Sequence, residues 1–314
     1  MGKITLSDIA AASGYSIMHV SRALNGDSAV SPETREAICR TARTLGYKST
    51  KTAVKPIAVI TPSYFHFPVR VLNELKRRGM HGVLLFLNNL ELANEKNFSG
   101  ALSVCCGDSL PQIWNKNFTL PLIQVHDYAL QSGSISGVVS DCDDEMRQSV
   151  SHLAELGHQR IVWIKEMIAE HYGIRYRNRG EAGFFDTAQK YNIASTVSIY
   201  TFADTQEKHK NLEKAINDGT TGFIINEYRY YQWIFDIFRR RNIKIPQDAS
   251  VIVYDCDGTR NNYHPHLTAM QLDYDRLVQR AVDLLELRLS GDNHTIYERI
   301  PSHLLTGEST APCR

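Results

Sequence analysis

The stretch from Leu6 to Gly46, LSDIAAASGYSIMHVSRALNGDSAVSPETREAICRTARTLG, constrains the fold more than any other part of the chain. Leu6, Ile9 and Ala10 fall at i, i+3, i+4; Val20, Ala23 and Leu24 repeat that spacing; Ile38, Ala42 and Leu45 stand at i, i+4, i+7. Apolar residues at these intervals line one face of a helix, so three short helices share one small core. Gly14 lies between the first two, where a tight turn needs a residue free to take positive φ. Ser16 is placed to cap the second helix by accepting a backbone N–H. Pro32 opens the third, at a position that needs no N–H, and Gly46 ends it. Three such helices with so tight a turn predict a helix-turn-helix headpiece over residues 1–47.

In that motif the second helix, here Ile17 to Leu24, lies in the major groove with its first residues at the base edges. Ile17 and Met18 are then the readers. Both can pack on thymine methyl groups, and neither can form the bidentate hydrogen bonds that Arg or Asn would make to guanine or adenine. Arg22, one turn on, can supply a guanine contact. Ser21 and Asn25 are short polar groups suited to phosphate oxygens, which fix register without reading sequence.

At these residues the chain resembles the LacI/GalR family of bacterial transcription regulators. That family opens with a threonine-led helix, an A-x-x-x-G turn, a V-S-R-x-L-N recognition helix and a V-S-x-x-T-R third helix. The counterparts here are Thr5, Ala10 to Gly14, Val20 to Asn25 and Val30 to Arg35, closed by Leu45-Gly46-Tyr47. The family's variable base-reading pair corresponds to Ile17 and Met18. Thr5, Ser16, Ile17, Met18, Ser21, Arg22 and Asn25 are thus the residues expected at DNA.

Charge is consistent with a nucleic-acid partner at one end. The net charge of +1 hides an asymmetry: residues 1–55 hold 8 Lys and Arg against 4 Asp and Glu, leaving 27 against 30 for the rest. The positive excess therefore sits on the helical end. The six cysteines, at 39, 105, 106, 142, 256 and 313, include no C-x-x-C pair, which argues against zinc and against a disulfide framework. The longest apolar run, Val83 to Leu87, is far too short to span a bilayer, and the N-terminus lacks the apolar core of a signal peptide. A cytoplasmic protein with reduced thiols is expected. Export failing, so does the rival in which the chain is a receptor for a transported ligand without DNA binding.

Residues 48–56 (KSTKTAVKP) hold three lysines and no large aliphatic side chain other than Val54, and read as a linker. In the family this position carries a hinge helix that pushes a leucine into the minor groove. The linker here is shorter and has no leucine. From Ile57 onward short apolar strands alternate with amphipathic helices. IAVIT, GVLLFL, GALSV, LPLIQV, GVVS, RIVWI, GFIIN and SVIVYD are predicted strands. Val69 to Arg78, Asp143 to Leu156, Gly180 to Tyr191, Glu207 to Asp218 and Tyr231 to Asn242 are predicted helices. Such alternation implies parallel sheets with right-handed crossovers.

The resemblance extends here: Leu156 to Ile161 matches the family's L-G-H-x-x-I, Ile245 to Asp248 its V-P-x-D, Pro265 to Thr268 its P-x-L-T and Glu308-Ser309-Thr310 its E-S-T. It implies an α/β core of the type I periplasmic-binding-protein kind over 57–314. One lobe is expected over 57–156 and 273–299, the other over 157–272 and 300–314. A small ligand then binds between the lobes at the carboxyl ends of strands. By position the resemblance implies Asp144, Asn226, Asp255, Leu272 and Tyr274 as effector contacts, with Phe202 facing from the second lobe. For the family's ligand-gripping arginine the resemblance implies Arg179, the nearest arginine, one place off the usual spacing before Gly183-Phe184, with Arg175 and Arg177 preceding it. The run YGIRYRNRGE around it suits carboxylate or phosphate, since arginine forks bind both bidentately. The effector expected is a sugar, sugar acid or sugar phosphate.

An enzymatic rival rests on VIVYDCDGT, in which Asp255 and Asp257 resemble the nucleophile and general acid of haloacid-dehalogenase-like phosphatases. That chemistry needs a downstream lysine, and none follows Lys244. His264 and His266 lack a carboxylate partner at metal-site spacing. No catalytic residue, metal or cofactor is expected. The sequence thus predicts a ligand-responsive regulator that binds a pseudo-palindromic operator as a homodimer.

Overall fold

The computed structural model describes residues 4–24, 30–47, 55–62, 67–106, 110–126, 135–166, 180–194, 196–202, 205–226, 230–255 and 258–313. The chain divides into two compact units, Met1–Val54 and Lys55–Arg314.

The first unit holds α1 (Leu6–Ser13), α2 (Ile17–Leu24) and α3 (Pro32–Thr44). Ile9, Val20, Ala23, Val30, Ile38 and Ala42 are its buried core. Thr5 closes a capping box on α1: its hydroxyl accepts the Asp8 N–H at 3.3 Å while Asp8 Oδ2 accepts the Thr5 N–H at 2.7 Å. The Ser16 hydroxyl accepts the His19 N–H at 3.2 Å, and Ser31 does the same for Thr34. Gly14, at φ 75°, ends α1 by donating its N–H to the Ala10 carbonyl.

The second unit contains two sheets of six strands each. In the first, β1 (Ile57–Thr61), β2 (Gly82–Phe86), β3 (Gly100–Val104), β4 (Leu122–Val125), β5 (Ser136–Ser140) and β11 (Tyr297–Ile300) run parallel in the order β11-β5-β4-β3-β1-β2. In the second, β6 (Ile161–Glu166), β7 (Ser198–Phe202), β8 (Gly222–Ile225), β9 (Ser250–Asp255) and β10 (Thr268–Gln271) are parallel, and β12 (His303–Leu305) joins β10 antiparallel; the order is β12-β10-β9-β8-β6-β7. Burial on both faces explains the near-continuous apolar runs of the central strands.

Helices cover both sheets. The first sheet packs α4 (Phe67–Arg77) and α10 (Tyr274–Leu289) on one face and α5 (Leu110–Asn117) on the other. The second packs α8 (Thr205–Asn217) and α9 (Tyr231–Arg240) on one face and α6 (Cys142–Glu155) with α7 (Glu181–Lys190) on the other. Across α4 and α10 the buried Glu74 carboxylate takes both arms of the Arg77 fork at 2.7 Å and Arg78 Nε at 2.7 Å, and Arg78 reaches on to Asp283 and Glu286. The Arg77 hydrogen bonds and those from Arg78 hold the Glu74 carboxyl at about 2 against the cost of burial.

Two expected boundaries move. The first lobe ends at Ser140, not at residue 156, because Met146, Val150 and Leu153 of α6 are buried in the second lobe's core. The linker ends before Lys55: its carbonyl accepts Ser99 Oγ at 2.9 Å, its amine reaches the Glu95 carbonyl, and the Pro56 carbonyl accepts the Ser99 N–H. Residues 48–54 lie outside the described set. β7, β10, β11, β12, α5 and α10 add to the elements read from the sequence.

Helices α6 and α7 touch at Gly183, where an added Cβ would stand 2.0 Å from the Asp143 carbonyl oxygen. Gly183→Ala is expected to lower stability by about 3 kcal/mol or more, because backbone rather than a pliable side chain must give way. Thermal and denaturant unfolding check this; an unchanged midpoint would show that α7 moves freely against α6.

Candidate DNA interface and inter-lobe site

Buried Val20 and Ala23 fix the face that α2 turns inward, and the first turn of the helix is left outside. Ile17 is 52% exposed and Met18 63% exposed, the most exposed large apolar side chains of the unit. His19 and Arg22 are exposed beside them. Apolar side chains held in water on a short helix are costly unless a partner covers them. The sequence reading passed over His19, although its place between Met18 and Val20 puts it at the same end of α2. Asn25 lies outside the described residues. Thr5 and Ser16 serve as helix caps, which leaves their side chains at the amino ends of α1 and α2.

In the second unit, topology sets which strand ends meet. β5 leaves the first sheet at its carboxyl end and leads into the start of α6, which runs back antiparallel to the second sheet. β10 leaves the second sheet at its carboxyl end and leads into the start of α10, which runs back along the first. β11 passes likewise into antiparallel β12. The carboxyl ends of both sheets therefore converge at the crossovers, where a ligand site is expected in such folds.

The first lobe brings an aromatic wall to these ends. Phe67 opens α4, His126 follows β4 and Tyr274 opens α10; the ring centroids are 4.7 Å apart for Phe67 and Tyr274, and 5.6 Å for His126 and Tyr274. Arg70 lies 6.0 Å over the Tyr274 ring and 2.9 Å from Asp275. Tyr274 packs against the cores of both lobes. Phe67 and His126 were not singled out in the sequence; a residue just past a strand, or opening the helix after it, is the pattern that marks both.

The second lobe brings polar groups. Asn226 follows β8 and is half-buried, with Oδ1 accepting from Trp163 Nε1 at 2.7 Å. Asp255 ends the neighbouring strand β9 and is 3% exposed, paired in register with Gln271. Asp144 lies in the first turn of α6, where its carboxylate accepts Gln148 Nε2 at 2.7 Å; Gln148 in turn holds the Ser302 carbonyl and the Leu304 N–H. Leu272 is buried in the second lobe's core. Phe202 ends β7 opposite Glu166. Arg175, Arg177, Arg179 and Asp257 lie outside the described residues.

A model of bacterial regulatory proteins of the lacI family matches residues 5–49, and one of a periplasmic binding protein-like domain matches residues 150–310, more than half of the chain. This chain belongs to the lacI family. It is 25% identical over 307 residues to the HTH-type transcriptional regulator GalR of Lacticaseibacillus casei, covering 91% of this chain and 92% of that protein. The lac repressor dimer bound to operator and the anti-inducer ONPF superposes with a TM-score of 0.75 at 20% identity, covering 99% of this chain and all of that one. The complex of the regulator CelR with cellobiose superposes at 0.67 and 20% identity, covering 98% of this chain and all of that one. Family membership and fold together make the protein a DNA-binding regulator with a small-molecule-binding core.

The motifs by which this lacI-family chain resembles its relatives are mostly structural ties at the amino ends of the second sheet. His158 of the L-G-H motif bonds Thr221 Oγ1 and Ser250 Oγ, each at 2.9 Å, and burial lowers its pKa. Ser309 of the E-S-T motif donates to the Val251 carbonyl at 2.6 Å and accepts the Thr268 N–H at 2.8 Å. Asp248 closes its turn by accepting the Lys244 N–H at 2.8 Å.

At the crossovers themselves sits one buried acid. Glu145, 2% exposed, accepts Ser302 Oγ at 2.7 Å. Burial pushes its carboxyl up, the Ser302 hydroxyl opposes that shift, and the charge of Asp141 adds to it. A raised folded-state pKa contributes stability that is present below the ordinary value of 4.5 and lost as pH rises through the folded value. Glu145→Gln, which cannot ionise, is therefore expected to melt above the wild type at pH 8, with a gap that closes toward pH 4.5. Melting curves across that range check this; a variant that falls further below the wild type as pH rises would show that the ionised form is the one the crossovers hold.

Proposed function

We propose that this chain regulates transcription, as a repressor, by binding a pseudo-palindromic operator as a homodimer through α2, and that a sugar or sugar derivative held between the lobes controls it. The observation that carries the DNA part is the pair of exposed apolar side chains, Ile17 and Met18, at the amino end of a capped recognition helix. Solved relatives named as a repressor dimer on operator and as a cellobiose complex support the partner classes. The polar strand ends Asn226 and Asp255 on the second lobe and the aromatic wall at Tyr274 on the first support an inter-lobe effector site, with Asp144, Phe202, Leu272 and Arg179 as the remaining candidates. The effector acts by holding the lobes in one relative setting, and operator and effector must then alter each other's affinity by the same factor.

Selection of bound duplexes from a random DNA pool by the full-length protein, over a salt series, tests the reading. A palindromic consensus is expected at every salt concentration, with affinity falling as salt rises. Met18→Gln is expected to shift preference toward adenine at the base pair it faces, by about 1–3 kcal/mol of discrimination, and to leave the salt slope unchanged. Recovery of no consensus, or of the same consensus from the variant, would overturn the assignment.

A further inference from the structure

Trp163 stands in the middle of β6, two residues after its start at Ile161, and is 2% exposed. Its ring packs at 5.6 Å from that of Phe184, and its Cη2 lies 3.2 Å from where a Cβ on Gly180 would stand. An indole confined by a helix residue on one side and a helix cap on the other cannot swing away. Its Nε1 is a donor and nothing else. The atom of Asn226 that meets it at 2.7 Å must therefore be the carbonyl oxygen, since an amide NH2 has no acceptor to offer. Asn226 is also held through its backbone, whose N–H donates to the Ile164 carbonyl at 3.2 Å. Both ends of the residue are fixed, and the one edge left over is the NH2 edge, on a half-buried residue at the carboxyl end of β8.

From this geometry we infer that Trp163 is a positioning residue that makes Asn226 a donor and not an acceptor toward the effector, so that the effector must present an oxygen acceptor there. Hydroxyl, carboxylate and phosphate oxygens meet the requirement; an ammonium group does not. Asp255, an acceptor when ionised, ends the neighbouring strand, so the two residues together suit a hydroxyl that both accepts and donates. This inference rests on the proposed inter-lobe site and adds to it a rule for which ligand atoms are admitted. A freely rotating asparagine would offer either edge and would discriminate poorly between donors and acceptors.

Two measurements on the full-length protein separate the inference from the reading beneath it. The chain has three tryptophans, so selective 15N labelling yields three indole N–H signals, of which Trp163→Phe identifies one by its loss. Asn226→Ala is expected to move that signal upfield and speed its exchange, and Asn226→Asp to move it downfield, a carboxylate being the stronger acceptor. Binding is then followed by titration with D-ribose, cellobiose, D-gluconate, glucose 6-phosphate and glucosamine. For those that bind the wild type, Trp163→Phe is expected to weaken affinity about tenfold while keeping the ring's packing, and Asn226→Asp is expected to weaken the acids most. Weakening by Asn226→Ala without any by Trp163→Phe would overturn the positioning role and leave the site intact. Binding unaffected by Asn226→Ala would overturn the site itself. If none of the five binds, the indole signal decides: one that ignores both Asn226 substitutions overturns the inference, and one that responds as described upholds it.

Discussion

Each of the three passages between the lobes leaves one sheet at a carboxyl strand end and enters the other lobe at its carboxyl edge, and the architecture of the core follows from that constraint. It forces the polar termini of two parallel sheets together, with the unsatisfied backbone groups that strand ends carry. The structure meets the demand with side chains that touch more than one passage. Gln148 bonds both the carbonyl of Ser302 and the N–H of Leu304, and Glu145 bonds Ser302, so α6, which continues from the first passage, is tied to the third. Burying a carboxyl for this purpose is costly unless it is hydrogen-bonded or neutral, and Glu145 has the Ser302 hydroxyl together with a raised pKa.

The opposite edge of the second sheet is held by hydrogen bonds of His158 and Ser309 to strand starts and by the Asp248 carboxylate, which accepts the Lys244 N–H in its turn. These ties leave the amino edge rigid and place none of its polar groups near the carboxyl edge. The division is physical: the groups of the L-G-H, V-P-x-D and E-S-T motifs hold the sheet at its amino end, away from the strand ends proposed for the ligand. A motif match therefore says much about fold and little about which effector is recognised.

Much of the fold was legible because buried helices and strands carry their periods in the sequence. The three headpiece helices fall where Leu6, Val20 and Ile38 and their partners put them, and the central strands read as apolar runs. What escaped was short or at an edge: β11 is YERI, β12 is HLL and β10 is TAMQ, each too brief and too polar to stand out. α10 is different, since Leu277, Val278, Ala281, Leu284 and Leu285 carry a clear helical spacing that went unused. The lobe boundary was misplaced because the stripe of α6, Met146, Val150 and Leu153, suits either sheet; only packing shows which one it covers. For the proposed site, Asn226 and Asp255 are legible only as polar residues ending apolar strands. Trp163 is not, because a tryptophan inside an apolar run reads as core, and it is core; its N–H matters only through a contact 63 residues away in the chain.

The two lobes bring unlike chemistry to their shared edge. Phe67, His126 and Tyr274 are ring faces, whereas Asn226 and Asp255 are hydrogen-bonding groups with fixed or nearly fixed polarity. On the proposed reading, a ligand that satisfies both lobes at once needs an apolar face and a hydroxylated edge, which a sugar ring has and a simple anion lacks. Such a ligand gains its full interaction only when the lobes are set to grip both sides of it. An equilibrium between lobe settings shifts only by the difference in ligand affinity for the two, and contacts split between lobes are what supply that difference. Tyr274 packs against the cores of both lobes while its ring meets those of Phe67 and His126, so the wall and the lobe packing share one side chain.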